Sequence, residues 1–227
     1  MFDYIRRNYL ALCEEIETLS AKLGRKAPTL VSVTKSGTDE ELIALAEAGA
    51  RDIGENRPGE VKRRGEILRN AGFSPVMHEI GSLQTNKVKL IAAEAGLIHS
   101  LDSERLANEI NKRCLAINKK MPVLIEINSA REEQKGGILP EAAEEFAAKI
   151  KEYDSLTLVG LMTMGPLSSE GEDLRPYFRE TKKLFDKLSG YFEADAPILS
   201  MGMSDSYRVA IEEGSTLVRV GRKLFIK

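Results

Sequence analysis

Cysteine, histidine and tryptophan are almost missing from this sequence, which has two cysteines, two histidines and no tryptophan. Cys13 and Cys114 lie far apart and make no CxxC pair, so a disulfide framework is excluded and reduced thiols are expected. The histidines, His78 and His99, are scattered as well, and no ligand set at metal-binding spacing exists. Charge of one sign is also lacking. The 33 basic and 35 acidic residues leave a net charge of -2, so no bulk field favours nucleic acid or anionic membrane, and any anion site must be local. No apolar run approaches the roughly 18 residues of a membrane span. The opening stretch, MFDYIRRNYLALCEEIETLS, has acids and amphipathic spacing in place of an apolar signal core, and a cytoplasmic protein is expected. Neither a Walker loop nor GxGxxG is present, so nucleotide binding has no motif support. With no linker, low-complexity tract or repeat, residues 1–227 are expected to form one domain.

What is present is a rhythm. The 227 residues are 42% hydrophobic, enough to bury a substantial core. Ile5, Tyr9, Leu12, Ile16 and Leu19 recur at three-to-four spacing, which predicts an amphipathic helix over 2–23, ended by Gly24 and packed on the rest of the chain. Short β-branched runs then alternate with helical segments. Strands are expected at 30–34, 52–54, 76–80, 97–100, 123–127, 157–162, 198–201 and 216–220. Helices are expected at 39–48, 60–69, 86–93, 103–117, 140–151, 174–188 and 205–211. Eight strands with helical crossovers imply parallel pairing, and eight such units are what a closed (β/α)8 barrel, a TIM barrel, requires. An open doubly wound sheet seldom uses eight evenly spaced units.

Barrel chemistry gathers at the carboxyl ends of the strands. Read there, the sequence offers Lys35, Asn56, Gln84 and Asn86, Ser100 and Asp102, Asn128, Met164-Gly165, Ser204, and Arg219 with Gly221. Lys35 ends the first strand. It is either a strand-end lysine reaching water or an amine that forms an imine with a carbonyl group, which a partly buried pocket would favour by disfavouring the charged form. The last stretch is the second signal. Gly202 and Ser204 precede a short helix, and Arg219-Val220-Gly221-Arg222 closes the final strand. Glycine and serine before a helix start can expose backbone N–H groups to an anion, and barrels hold phosphate between the loops after strands seven and eight. The alternative is that they are turn and capping residues only. Arg219 and Val220 alternate faces, and Arg219 is expected inward. A guanidinium there would leave a pyridine nitrogen unprotonated, because it does not give up its own proton.

The remaining polar positions read as structure. His78 and His99 are expected to be satisfied strand histidines. Gly59, Lys62, Arg63 and Arg64 are expected on an exposed helical face. The run 131–135 reads as a solvated loop, with Lys135-Gly136-Gly137 at the edge of the site.

Taken together, VSVTK, IGEN, HEIGSLQTNK, IHSLDS, IEIN with a following KGG, GLMTM, LSMGMSDS and GSTLVRVGRKLF, in this order from about residue 30 to 225, resemble the YggS/PROSC family of pyridoxal phosphate homeostasis proteins. The resemblance implies a single barrel like the N-terminal domain of alanine racemase, carrying pyridoxal 5'-phosphate as an aldimine on Lys35. It gives Ser204 and the Gly221-Arg222 backbone to the phosphate and Arg219 to the pyridine nitrogen. Asn56 would line the pocket, with His78 and Met201 near it. It further implies a role in intracellular vitamin B6 and amino-acid/keto-acid homeostasis with little or no catalysis, in a monomer, with pyridoxal-phosphate-dependent apo-enzymes as recipients. An amino-acid racemase is the alternative, and a lysine-dependent aldolase ranks last. Three positions depart from the family pattern. Met77 precedes His78 where tryptophan is usual, Ser36-Gly37 follows Lys35 where threonine or a basic residue is common, and the chain ends Phe225-Ile226-Lys227.

Overall fold

The computed structural model describes residues 2–132, 134–166 and 171–227; Glu133, inside the expected loop at 131–135, lies outside them. Eight parallel strands close into a barrel in chain order. They are β1 (Thr29–Val33), β2 (Asp52–Glu55), β3 (Val76–Glu79), β4 (Ala95–Leu101), β5 (Met121–Glu126), β6 (Leu156–Met162), β7 (Ile198–Ser200) and β8 (Leu217–Val220). The helices are α1 (Asp3–Lys22), α2 (Asp39–Glu47), α3 (Pro58–Asn70), α4 (Val88–Ile91), α5 (Glu104–Leu115), α6 (Ala143–Ile150), α7 (Arg175–Lys187) and α8 (Tyr207–Glu212). The (β/α)8 expectation is met. The largest departures in length are α4, a single turn led in by a 3-10 turn at Thr85–Lys87 where a helix over 86–93 is expected, and α6, which is led in by a 3-10 turn at Pro140–Ala142 where a helix over 140–151 is expected.

Alternation along the strands sorts side chains into two layers. Val31, Leu97, Leu124, Val159, Met162 and Leu217 fill the lumen. Strand residues of the other parity, including Ile53, Met77, Ile98, Val123, Leu158, Leu161, Val218 and Val220, face the helices in a much larger outer core. This is the usual arrangement of a packed barrel interior inside a helical ring.

The N-terminal helix is part of that ring rather than an addition to it. After β8 the described residues make a 3-10 turn, Arg222–Leu224. α1 packs against α2, α8 and this turn and so takes a place in the ring. Ile5, Leu12 and Ile16 are buried in the outer core. Glu15 accepts hydrogen bonds from Tyr207 Oη and Arg208 Nε. Asn8 Nδ2 donates to the carbonyls of Leu224 and Ile226, at 3.3 and 2.7 Å. Truncating a buried isoleucine removes transfer energy and leaves a cavity. Ile16→Ala should therefore destabilise the whole barrel by about 2–3 kcal/mol in urea titration, where a detachable helix would leave the main transition unmoved.

Candidate functional site at the carboxyl ends of the strands

Four consecutive neighbours of the barrel, β7, β8, β1 and β2, are followed by Ser204, Gly221, Lys35 and Asn56. The β8 and β1 ends touch closely. A Cβ on Gly221 would sit 2.9 Å from the Val33 carbonyl oxygen, so only glycine lets the two backbones approach. The Gly221 N–H donates to Ser204 Oγ at 3.3 Å, tying the β7 loop to the β8 end. Gly202, with φ +95°, makes the turn into that loop, and a Cβ there would overlap Ala210 and Tyr207. Ser206, not Ser204, caps the loop, accepting from the Met203 N–H through its hydroxyl at 3.1 Å. Ser204 is thus left to the Gly221 contact. The Arg222 side chain turns outward to pair with Asp205, and only its backbone adjoins the cradle.

Lys35 is two residues past β1 and exposed, so of the two sequence readings its surroundings match the strand-end lysine reaching water and not the partly buried amine. It shares a polar pocket of about 530 Å³ with Ser36, Glu55, Asn56, Arg57, Glu60 and Arg64. Arg64 corrects the sequence reading: it is buried, not on an exposed face. Its guanidinium donates to the Thr34 carbonyl at 2.5 Å and the Gly37 carbonyl at 2.9 Å, and so grips the Lys35-Ser36 turn from both sides. It also pairs with Glu55 at 3.3 Å, while Glu55 accepts from Thr34 Oγ1. The signal was present in the sequence. Val61, Arg64, Gly65 and Leu68 recur at helical spacing and form the buried face of α3. On the other side of the turn, the Phe225 ring occupies the place where a side chain on Gly37 would go. Asn56 is fixed by the close approach of Gly81, whose Cβ would meet the Asn56 carbonyl oxygen at 2.4 Å.

Arg219 faces the lumen, as alternation with Val220 predicts. It is 4% exposed and donates to Ser200 Oγ and, at 3.1 Å, to the Thr163 carbonyl. Burial pushes its guanidinium down to about 10, against the opposing field of Glu126, and it remains charged at neutral pH. Glu126 is pushed up to about 7 by burial and by Asp102, with Arg219 and Lys135 pulling the other way.

Two residues that the resemblance sets near the pocket reach it only indirectly. Met201 lies one past Ser200, and its side chain joins the outer, helix-facing core; the same alternation that turns Ser200 inward turns Met201 out. His78 is buried in the lumen with both ring nitrogens engaged. Nδ1 is 2.9 Å from His99 Nε2, and Nε2 is 3.0 Å from Asp52 Oδ1. His99 Nδ1 is 3.0 Å from Ser200 Oγ. Both histidines are therefore satisfied internally. Asn128 is consumed by its own loop, accepting from the Glu132 N–H and donating to the Glu132 carbonyl. Lys135 Nζ reaches the Gly165 carbonyl at 2.9 Å, bridging the loops after β5 and β6. No group of metal-ligating side chains is found among the described residues, and none of their helices is long and apolar enough to cross a membrane.

The donor set suits a phosphorylated pyridine aldehyde: an amine, a glycine-serine cradle that a Cβ would fill, and a buried cation beneath. Comparison with known proteins agrees. The alanine racemase N-terminal domain family matches residues 8–226. A pyridoxal phosphate homeostasis protein of Aquifex aeolicus is 40% identical over 214 residues, covering 93% of each chain. The crystal structure of an unknown protein from Bifidobacterium adolescentis superposes with a TM-score of 0.88 at 33% identity, over 98% of this chain and 95% of that one. PipY of Synechococcus elongatus PCC7942, solved with PLP bound, gives a TM-score of 0.84 at 23% identity over 98% of this chain and 100% of its own. The chain belongs to the alanine racemase N-terminal domain family and, within it, to the pyridoxal phosphate homeostasis proteins.

Proposed function

We propose that this protein binds pyridoxal 5'-phosphate and serves the intracellular homeostasis of that cofactor, and with it of amino and keto acids, with little or no turnover. The observation that carries the reading is the convergence of Lys35, the Ser204–Gly221 cradle and the lumen-facing Arg219 on the ends of consecutive strands. The names of its relatives and the cofactor bound by PipY support the same ligand. When bound, pyridoxal phosphate supplies an electrophilic aldehyde carbon conjugated to a ring that withdraws electrons. Lys35 provides the amine that holds the aldehyde. The backbone at Gly221-Arg222 and the Ser204 hydroxyl hold the phosphate, Asn56 lines the wall, and Arg219 donates to the ring nitrogen.

That last contact limits chemistry. A group with donors only keeps the ring nitrogen unprotonated and so weakens the ring as an electron sink. The arrangement favours holding and handing on the cofactor over transforming amino acids. Cofactor-dependent apo-enzymes are the natural recipients, and a monomeric cytoplasmic barrel suffices for the task. Titrating the purified protein with pyridoxal phosphate should produce a saturable visible absorbance band at a stoichiometry of one. L-alanine added to the loaded protein should racemise no faster than with free cofactor. Absence of the band, or saturating racemisation, would overturn the respective half of the proposal.

A further inference from the structure

A chain of hydrogen bonds crosses the lumen from Arg219 through Ser200, His99 and His78 to Asp52. Its two ends have fixed and opposite capacities. Arginine has donors and no acceptor, and an ionised aspartate has acceptors and no donor. The three groups between them can each do both. Asp52 only accepts, so His78 carries its proton on Nε2 and donates to it. With one proton on each ring, His78 Nδ1 accepts from the His99 Nε2–H, and His99 Nδ1 accepts from the Ser200 O–H. Every bond then points the same way: Asp52 sets the polarity from one end, and the Ser200 lone pairs are left for the donor-only Arg219 at the other. Such aligned chains polarise one another.

The two rings pack with centroids 5.2 Å apart. Burial, the neighbouring His78 and the Arg219 cation hold His99 well below the ordinary histidine range, so it is neutral. Asp52 opens β2 and stands at the amino-terminal end of the strand, the end opposite Asn56, partly exposed. Among the described residues, Asp52 is the carboxylate bonded to this chain and Glu126 the one whose field reaches Arg219; Tyr9 adjoins both Asp52 and Arg51.

We propose that Asp52 is a distal positioning residue for Arg219: through His78, His99 and Ser200 it locks both imidazoles as Nε2–H tautomers and fixes the guanidinium that faces the cofactor ring. The consequence for the cofactor rests on the ligand reading above; the lock itself does not.

The test begins with protein free of cofactor and of any histidine-bearing tag. The chain has two histidines, so a nitrogen-15 imidazole spectrum contains these two rings alone. Both should be neutral, with pyrrole-type Nε2 and pyridine-type Nδ1. A proton on Nδ1 of either ring, or a cationic ring at neutral pH, overturns the proposal. In the same cofactor-free protein, Asp52→Leu should speed hydrogen exchange at the Arg219 guanidinium at least fivefold. Asp52→Asn, which keeps an acceptor oxygen, should change it less than twofold. Unchanged exchange in Asp52→Leu overturns the coupling, and if that variant does not fold, Ser200→Ala cuts the same chain beside Arg219 and is read the same way. In loaded protein, Asp52→Leu should shift the visible band and raise the Kd for pyridoxal phosphate about fivefold, with Asp52→Asn close to wild type. A merely structural Asp52 would lower the melting temperature and leave the band in place. If wild-type protein binds no pyridoxal phosphate, the ligand reading fails, while the nitrogen spectra and the exchange rates still decide the lock.

Discussion

Lys35→Ala is expected to abolish the visible band that pyridoxal phosphate gives with the wild-type protein, and to leave nothing for borohydride to fix at this site. The chain has many other lysines, but they lack the surroundings of Lys35. The turn that carries it is gripped by Arg64 at the Thr34 and Gly37 carbonyls and backed by Phe225 at Gly37, so the amine is presented at one place above the strand ends. Positioning a nucleophile in this way replaces a bimolecular encounter by a local one, an advantage of several powers of ten. Surface lysines share none of it. In wild-type protein, peptide mapping after reduction should therefore find the label on Lys35 alone. In Lys35→Ala the phosphate cradle at Ser204 and Gly221 is intact. Weak, reversible binding of pyridoxal phosphate, visible by calorimetry and displaced by inorganic phosphate, should survive the loss of the band. A band that persists in Lys35→Ala, or a label spread over many lysines, would remove Lys35 from the site.

The second large effect concerns stability. Glu55 and Glu79 are register partners on β2 and β3, and both are buried with an unpartnered carboxylate oxygen. Burial pushes Glu79 up to about 8, opposed by the Gly81 N–H and reinforced by Glu55. Glu55 is raised as well, by burial, against Thr34 and Arg64. With its pKa raised in the folded state, Glu79 stays protonated in the folded chain while the unfolded chain has released that proton. Between the ordinary glutamate value and about 8 the folded protein thus binds more protons, and stability falls as pH rises through that window. At 1.36 kcal/mol per unit, and with Glu79 half ionised at pH 8, the loss from Glu79 is about 2 kcal/mol between pH 6 and pH 8. Glu79→Gln removes the ionisation and keeps an oxygen for the Gly81 N–H. Urea denaturation over this range should show the variant gaining on the wild type by about that amount as pH rises. Parallel curves would mean that Glu79 ionises without strain in the folded protein.

Much of this was legible in the sequence, because alternation and periodicity are local properties. Eight β-branched runs separated by amphipathic helices require a parallel closed sheet, and the strand ends then follow by counting. Parity along β8 turns Arg219 into the lumen, and parity along β7 does the same for Ser200 while turning Met201 out. Spacing on α3 places Arg64 among Val61 and Leu68. Those two assignments were available to a stricter count. A charged residue on a helix reads as exposed unless its partners are known, and the partners of Arg64 are carbonyls of a turn far away in sequence.

What only the tertiary structure decided is what meets across space. Register shifts between β3 and β4, β4 and β5, and β5 and β6 set the heights at which inward side chains face one another. No strand contains the information that His78 and His99 hydrogen-bond, or that Asp52 and Arg219 are the ends of one chain. In the same way, the helix at the N-terminus is visible as a helix, but its place in the ring is set by its packing against α2, α8 and the 3-10 turn after β8. Hydrophobic pattern specifies which face of an element is buried; closure of the barrel chooses the neighbours, because tilt and register are properties of all eight strands together.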